Sequence, residues 1–155
     1  MALRNIFMEG DPVLRQRAKE VTVFDRRLGI LLDDMLETMR KGGGVGLAGP
    51  QVGILKRVAV IEYAGETWEL VNPKIVSSSG SVIGMEGCLS VDPRKDGKVA
   101  RPQEVTVVYQ DRNGNRKERK VEDWMARIVC HETDHLNGIL FIDKVMKEEN
   151  QNQGV

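Results

Sequence analysis

The nine residues from Cys130 to Gly138, Cys-His-Glu-Thr-Asp-His-Leu-Asn-Gly, carry both histidines of the chain and constrain its fold more than any other stretch. Trp124, Ile128, His131 and His135 follow at steps of four, three and four, so on a helix they share one face. Gly138 stands where that helix would stop. Two histidines four residues apart can reach one ion through imidazole nitrogen. Glu132 lies about 100° around the helix, beside such an ion without filling a ligand position, as a general base requires. This pattern also arises by chance on charged helices. Here it holds the only two histidines, on an apolar stripe that would bury them. Two ligands are too few for a metal site, so a third must come from elsewhere in the fold.

Downstream sources fail. The metzincin extension of the motif is matched through Gly138 but then places Phe141 where a third histidine belongs, and phenylalanine cannot bind metal. Glu148 and Glu149 lie in a polar tail that offers no second ordered helix. Upstream, the chemistry narrows to Glu86-Gly-Cys-Leu-Ser90 at the end of an expected strand, where Gly87 permits close backbone approach and a metal would ionise the Cys88 thiol. A buried core thiol is the ordinary reading of such a cysteine. Taken with the two histidines, the ligand reading prevails: Cys88, His131, His135 and a water make an open four-coordinate site. Cys130 points about 100° away from His131 and reads as packing. A Cys88–Cys130 disulfide is not expected in a reducing compartment.

The 155 residues suit one domain with a core of its own, supported by a hydrophobic content of 41%. Lys plus Arg equals Asp plus Glu at 23 each, so no net field points to nucleic acid, an anionic membrane or a strongly charged substrate. No apolar run approaches the ~20 residues of a membrane span and the start lacks a signal-peptide pattern, so a cytoplasmic protein is expected. A short helix is expected from Asp11 with Pro12 at its first position. A longer one follows from near Asp25, with Leu28, Leu31, Leu32, Met35 and Met39 on one stripe until Lys41-Gly-Gly-Gly44 ends it. Strands are expected over residues 57–63, 67–76 and 80–90. Asn113-Gly114 predicts a type I′ hairpin joining residues 104–112 to 115–122.

Three motifs in order, Gly-Val-Gly-Leu-Ala-Gly-Pro-Gln (Gly44 to Gln51), Glu-Gly-Cys-Leu-Ser (Glu86 to Ser90) and His-Glu-Thr-Asp-His (His131 to His135), make the chain resemble the peptide deformylases. The start Gly-Asp-Pro-Val-Leu-Arg and the end Leu-Asn-Gly-Ile-Leu-Phe-Ile-Asp-Lys-Val are similar too, so the likeness runs from residue 1 to about 146. The family usually has a second alanine where this chain has Gly49, and a glutamine where it has Cys130.

The resemblance implies hydrolysis of the formyl group from N-terminal formyl-methionine. Glu132 would carry the proton, and the Gln51 side-chain amide and the Leu89 backbone N–H would face the charge that develops on the formyl oxygen. It places the substrate methionine in an apolar pocket, with Val45 and Ile128 as candidates, and the substrate backbone along Val45, Gly46 and Gly87. Ile128 and plain core packing are equally compatible. Glu86 and Arg101 are either an ion pair that steadies the Cys88 loop or two solvated charges. A Cys/His/His set suits zinc, nickel or cobalt, and the resemblance points to Fe(II) in cells, one divalent ion per chain. The implied partner is a formyl-methionyl peptide or nascent chain, with transient ribosome contact. A zinc metallopeptidase and a catalytically silent metal-binding module are the other readings. The expected fold is α+β, mostly antiparallel strands around a central C-terminal helix that carries both histidines, in one catalytic domain over residues 1–146 with a polar, flexible tail over 147–155.

Overall fold

The computed structural model describes residues 2–147, so the acidic pair Glu148 and Glu149 and nearly all of the expected tail lie outside the described residues. Five strands form one antiparallel sheet in the order β1 (Gly46–Ala48), β2 (Val58–Tyr63), β3 (Glu66–Ser79), β6 (Glu104–Gln110), β7 (Arg116–Glu122). A separate antiparallel pair joins β4 (Val82–Glu86) to β5 (Gly97–Arg101). Two α-helices, α1 (Arg26–Gly42) and α2 (Asp123–Leu136), cover opposite faces of the larger sheet.

The alternation of side chains along β2 decides which helix sits where. Val58 and Val60 point into the cluster built on α1, with Leu28, Leu32, Met35 and Met39. Ala59 and Ile61 point into the cluster built on α2, with Ile128, Val129 and Leu136. The α2 helix also touches β5, so it lies between the two sheets as the central helix of an α+β fold.

The α1 boundaries follow from its caps. The Asp25 carboxylate accepts the Leu28 N–H at 3.1 Å, and Gly43 takes the left-handed conformation at φ 74°. The α2 helix ends similarly, with Gly138 at φ 75° just past it. A Cβ at Gly138 would meet the Arg15 carbonyl oxygen at 2.5 Å, so the glycine is demanded by close approach as well as by conformation.

Three local expectations need correction. The first helix is a single 3-10 turn, Pro12–Arg15, anchored by buried Leu14. Beyond it the Ala18 N–H is taken by the Leu136 carbonyl at 2.9 Å and the Lys19 N–H by the Leu55 carbonyl at 2.9 Å, so tertiary hydrogen bonds draw the chain straight. The 110–116 connection is not a type I′ turn. Only Gly114 has positive φ, and Asp111 pairs with Asn115 around a three-residue loop, with the Asp111 carboxylate accepting the Asn113 and Asn115 N–H groups. The expected 80–90 strand ends at Glu86, and Gly87 onward turns away. Pro73 inside β3 sits at a break in register, where Asn72 adopts φ 51° and its side chain bonds both the N–H and the carbonyl of Val21.

Candidate active site

Three parts of the chain converge on one cleft: the segment from the end of α1 through β1 to Val52, the turn after β4, and the buried face of α2. The ligating atoms of Cys88, His131 and His135 all lie within 4.8 Å of one another, and Cys88 Sγ is 3.4 Å from His135 Nε2. Both histidines are buried on α2, as their spacing requires. The His131 ring is oriented through Nδ1, which lies 2.9 Å from Glu86 Oε1, leaving Nε2 for a metal. Phe141, at the position where a third histidine was sought, stacks on His131 instead, with ring centroids 5.8 Å apart and planes 22° from parallel.

Glu86 is the hub of a buried ion network. It accepts two hydrogen bonds from Arg101, both at 2.9 Å, and one from Arg127 Nη1 at 2.6 Å. Arg101 reaches on to Asp134 at 2.7 Å. Burial opposes a charge on Glu86, but the hydrogen bonds from Arg101 and His131 outweigh it and hold the carboxyl down to about 2. Of the two readings of Glu86 and Arg101, the buried pair is the one realised.

Glu132 has the opposite surroundings. Its Oε1 is buried without a hydrogen-bond partner, and burial pushes its carboxyl up to about 7. Burial drives His135 well below the ordinary histidine range. For His131, burial is outweighed by its bonds to Cys88 and Glu86, which raise it to about 10. Cys130 is a buried free thiol pushed up to about 11 by burial, an unreactive packing group.

The glycines of the first motif are needed by the site. A Cβ at Gly46 would meet Glu132 Oε2 at 2.5 Å, and one at Gly44 would meet Leu89 Cδ1 at 2.7 Å. At Gly49, where the family usually has alanine, a Cβ would meet the Lys56 and Ile54 carbonyl oxygens at 2.6 and 2.7 Å, so this loop is closed too tightly for a methyl group. Gln51 is buried and bridges the motifs: its Oε1 accepts the Ala48 N–H at 2.9 Å, and its Nε2 donates to Ser90 Oγ at 3.1 Å and Cys88 Sγ at 3.4 Å. The N-terminal segment ties down the same two loops, with the Phe7 N–H on the Gln51 carbonyl and the Glu9 N–H on the Ser90 carbonyl.

The cleft beside Glu132 and His131 has a volume of about 400 Å³. Val45, Gly46, Gly87, Leu89 and Ile128 all line it, and Gln51 and His135 lie deeper. Trp124, Met85 and Arg127 line it too, none of which the sequence singled out as site residues. Trp124 and Arg127 were within reach, about two turns and one turn before His131 on α2. The position of Met85 was not, because it depends on how β4 packs.

The sequence and the fold are both similar to those of known proteins. A sequence profile described as polypeptide deformylase matches residues 3–151. The peptide deformylase of Caldicellulosiruptor bescii is 53% identical over 147 residues, 95% of this chain and 88% of that protein. That of Alkaliphilus metalliredigens is 50% identical over 148 residues, 96% of this chain and all of that protein. Among solved structures, the peptide deformylase from Thermotoga maritima superposes with a TM-score of 0.91 at 40% identity, covering 94% of this chain and 99% of that one. The chain belongs to the polypeptide deformylase family.

Proposed function

We propose that the protein hydrolyses the N-terminal formamide of formyl-methionyl peptides, releasing formate and a free amine, with Cys88, His131 and His135 holding one divalent metal ion. The observation that carries this reading is the convergence of those three donors within 4.8 Å beside a buried carboxylate, Glu132, that has an unpartnered oxygen. One thiolate and two imidazoles fit a borderline-soft divalent ion. When bound, such an ion supplies Lewis acidity and makes a water molecule more acidic. Ferrous iron is the ion in cells, and zinc, nickel or cobalt substitute for it in purified protein.

The chain's own groups do the rest. The Glu132 carboxylate accepts the proton of the attacking water and delivers it to the amine nitrogen as the C–N bond breaks. Gln51 Nε2, held by the Ala48 N–H on the other end of its amide, donates to the formyl oxygen together with the Leu89 N–H. Val45 and Ile128 flank the methionine side chain in the 400 Å³ cleft. The substrate main chain pairs along Val45, Gly46 and Gly87, beside β1, which is an edge strand of its sheet.

Residues 1–146 act as one catalytic unit, and residues 147–155 are a polar tail outside it. The substrates are nascent chains, met by transient contact with the ribosome in the cytoplasm. No helix among the described residues is long and apolar enough to cross a membrane.

The test is formate release from a formyl-Met tripeptide by protein prepared without oxygen and loaded with iron, against the same protein chelated. Metal-dependent release that Glu132→Ala abolishes is the expected result. Cleavage of an unformylated peptide without formate release would make the protein a peptidase. A Glu132→Ala variant as active as the parent would remove Glu132 from the chemistry.

A further inference from the structure

The β4–β5 pair carries Cys88 just beyond its first strand, yet a two-stranded hairpin is marginal by itself. The β4 side chains contribute little apolar packing: Val82, Ile83 and Met85 are 42%, 54% and 54% exposed. Besides the Glu86–His131 bond at its end, this strand is fastened to α2 by Arg127, whose side chain is only 5% exposed. Its Nη2 donates to the Val82 carbonyl at 2.7 Å, and its Nη1 donates to the Val99 carbonyl at 2.9 Å and to Glu86 Oε2 at 2.6 Å. The guanidinium thus bonds main chain on both strands of the hairpin and the carboxylate that orients His131.

Gly84 complements it. A Cβ at Gly84 would meet Arg127 Cζ at 2.9 Å, Nη2 at 3.0 Å and Nε at 3.1 Å, so the guanidinium fills the space a side chain would occupy. Trp124, one turn earlier on α2, covers Arg127 from another side, with Cζ 5.3 Å from the ring centroid.

We propose that Arg127 is a positioning residue for the metal site, with Gly84 as its obligate partner. It docks the β4–β5 hairpin on the helix that bears the histidines, so that Cys88 faces His131 and His135 and Glu86 stays on His131 Nδ1. It acts through Glu86 and the strand, and its geometry is the reason one side of the cleft is built from a buried, multiply bonded cation rather than an apolar side chain.

The proposal rests on the metal-site reading above, so its test has one arm with metal and one without. In the first, cobalt(II) is titrated into the metal-free protein and followed by its visible absorption, which reports thiolate ligation. Arg127→Ala is expected to weaken binding about 10–100-fold, the usual range for groups that orient ligands, and Arg127→Lys to weaken it less, because an ammonium keeps the charge beside Glu86 but lacks the second nitrogen that reaches the Val82 carbonyl. In the second arm, amide exchange in metal-free Arg127→Ala is expected to rise about tenfold or more over residues 82–101 while β2 and β3 stay as in the parent. Gly84→Ala is expected to raise the same exchange in the parent and to have little further effect when combined with Arg127→Ala. Should Arg127→Ala not fold, the Lys variant and Gly84→Ala carry both arms. Parent-like exchange over residues 82–101 in the Arg127 variants, or a Gly84→Ala effect independent of residue 127, would overturn the proposal. Failure of the parent to take up cobalt would instead strike at the metal-site reading, and the exchange arm would still decide this one.

Discussion

The two helices on either side of the large sheet bury similar apolar stripes but differ in how far their most buried polar groups are satisfied. On α1 the deeply buried polar side chains are Asp34 and Thr38, and both are satisfied by the N-terminal segment: Asp34 accepts from the Ala2 N–H at 2.8 Å and Arg4 Nε at 3.1 Å, and Thr38 Oγ1 accepts the Arg4 N–H at 2.9 Å. Half-buried Glu37 leaves one oxygen unpaired. On α2, three buried polar atoms have no partner among the described residues: Glu132 Oε1, Thr133 Oγ1 and His135 Nδ1. Unpaired buried polar atoms are costly and uncommon. Two of these three, Glu132 and His135, are the residues to which the proposed function gives proton transfer and metal binding. On that reading the α1 face is scaffold, and the α2 face gives up stability for chemistry.

The sharpest way to break this contrast is to remove the unpaired carboxylate. Glu132→Ala is expected to lower turnover about 10²–10⁴-fold, the range for a lost general acid–base group, without lowering the thermal midpoint of unfolding. A large loss of stability would mean that Glu132 is a structural group after all. The reciprocal change on α1 is Leu32→Ala, at a fully buried position. It is expected to cost about 2–5 kcal/mol in denaturant unfolding, with turnover well below the transition almost unchanged. If Leu32→Ala reduced turnover of still-folded protein as much as Glu132→Ala, the division into scaffold and working faces would fail.

The same contrast governs what the sequence could reveal. The helices were legible because apolar residues on α1 and the His131/His135 pair on α2 repeat at helical spacing, and a local period needs no knowledge of the fold. The requirement for a third donor then led to Cys88, since the chain offers few alternatives. The Arg127–Gly84–Glu86 arrangement was not legible. Glu86 was read only with Arg101, whereas Arg127 and Gly84 look ordinary in their own neighbourhoods, and the relation of the three exists only once β4 lies against α2. Gly46 was expected beside the substrate, but the reason it must be glycine is the Glu132 carboxylate on α2, 86 residues away in the chain and 2.5 Å from where its Cβ would be. The 3-10 turn at Pro12–Arg15 failed as a longer helix for a related reason. Its continuation is captured by main-chain partners at Leu55 and Leu136 that no local pattern announces.

Metal removal sharpens the comparison at an intermediate scale. An ion that binds only the folded state stabilises it by mass action, about 2.7 kcal/mol at a hundredfold excess over Kd. Chelation is therefore expected to lower the midpoint of thermal unfolding, and amide exchange should rise first in α2 and residues 86–91 while α1 stays protected. Equal loosening of both helices would show that the two faces unfold as one unit.

The smallest expected effect lies on the scaffold side and depends on pH. The Ala2 N–H, followed by Arg4, holds the Asp34 carboxyl below the usual aspartate range despite burial. Because the folded state binds its proton less readily than the unfolded state does, the stability from Asp34 is fully present above the ordinary aspartate pKa of about 3.9 and is lost as pH falls through the lower folded value. Asp34→Asn keeps the shape and an acceptor for the Ala2 N–H but removes the charge that pairs with Arg4. At neutral pH it is expected to cost about 1–2 kcal/mol, a charged hydrogen bond partly open to solvent on the arginine side. That difference from the parent should hold above about pH 4 and shrink as pH is lowered further, through the range in which first the unfolded and then the folded carboxylate takes up its proton. A difference that stays constant over this range would mean that the N-terminal segment is held by shape alone, and that α1 satisfies its buried acid without using the charge.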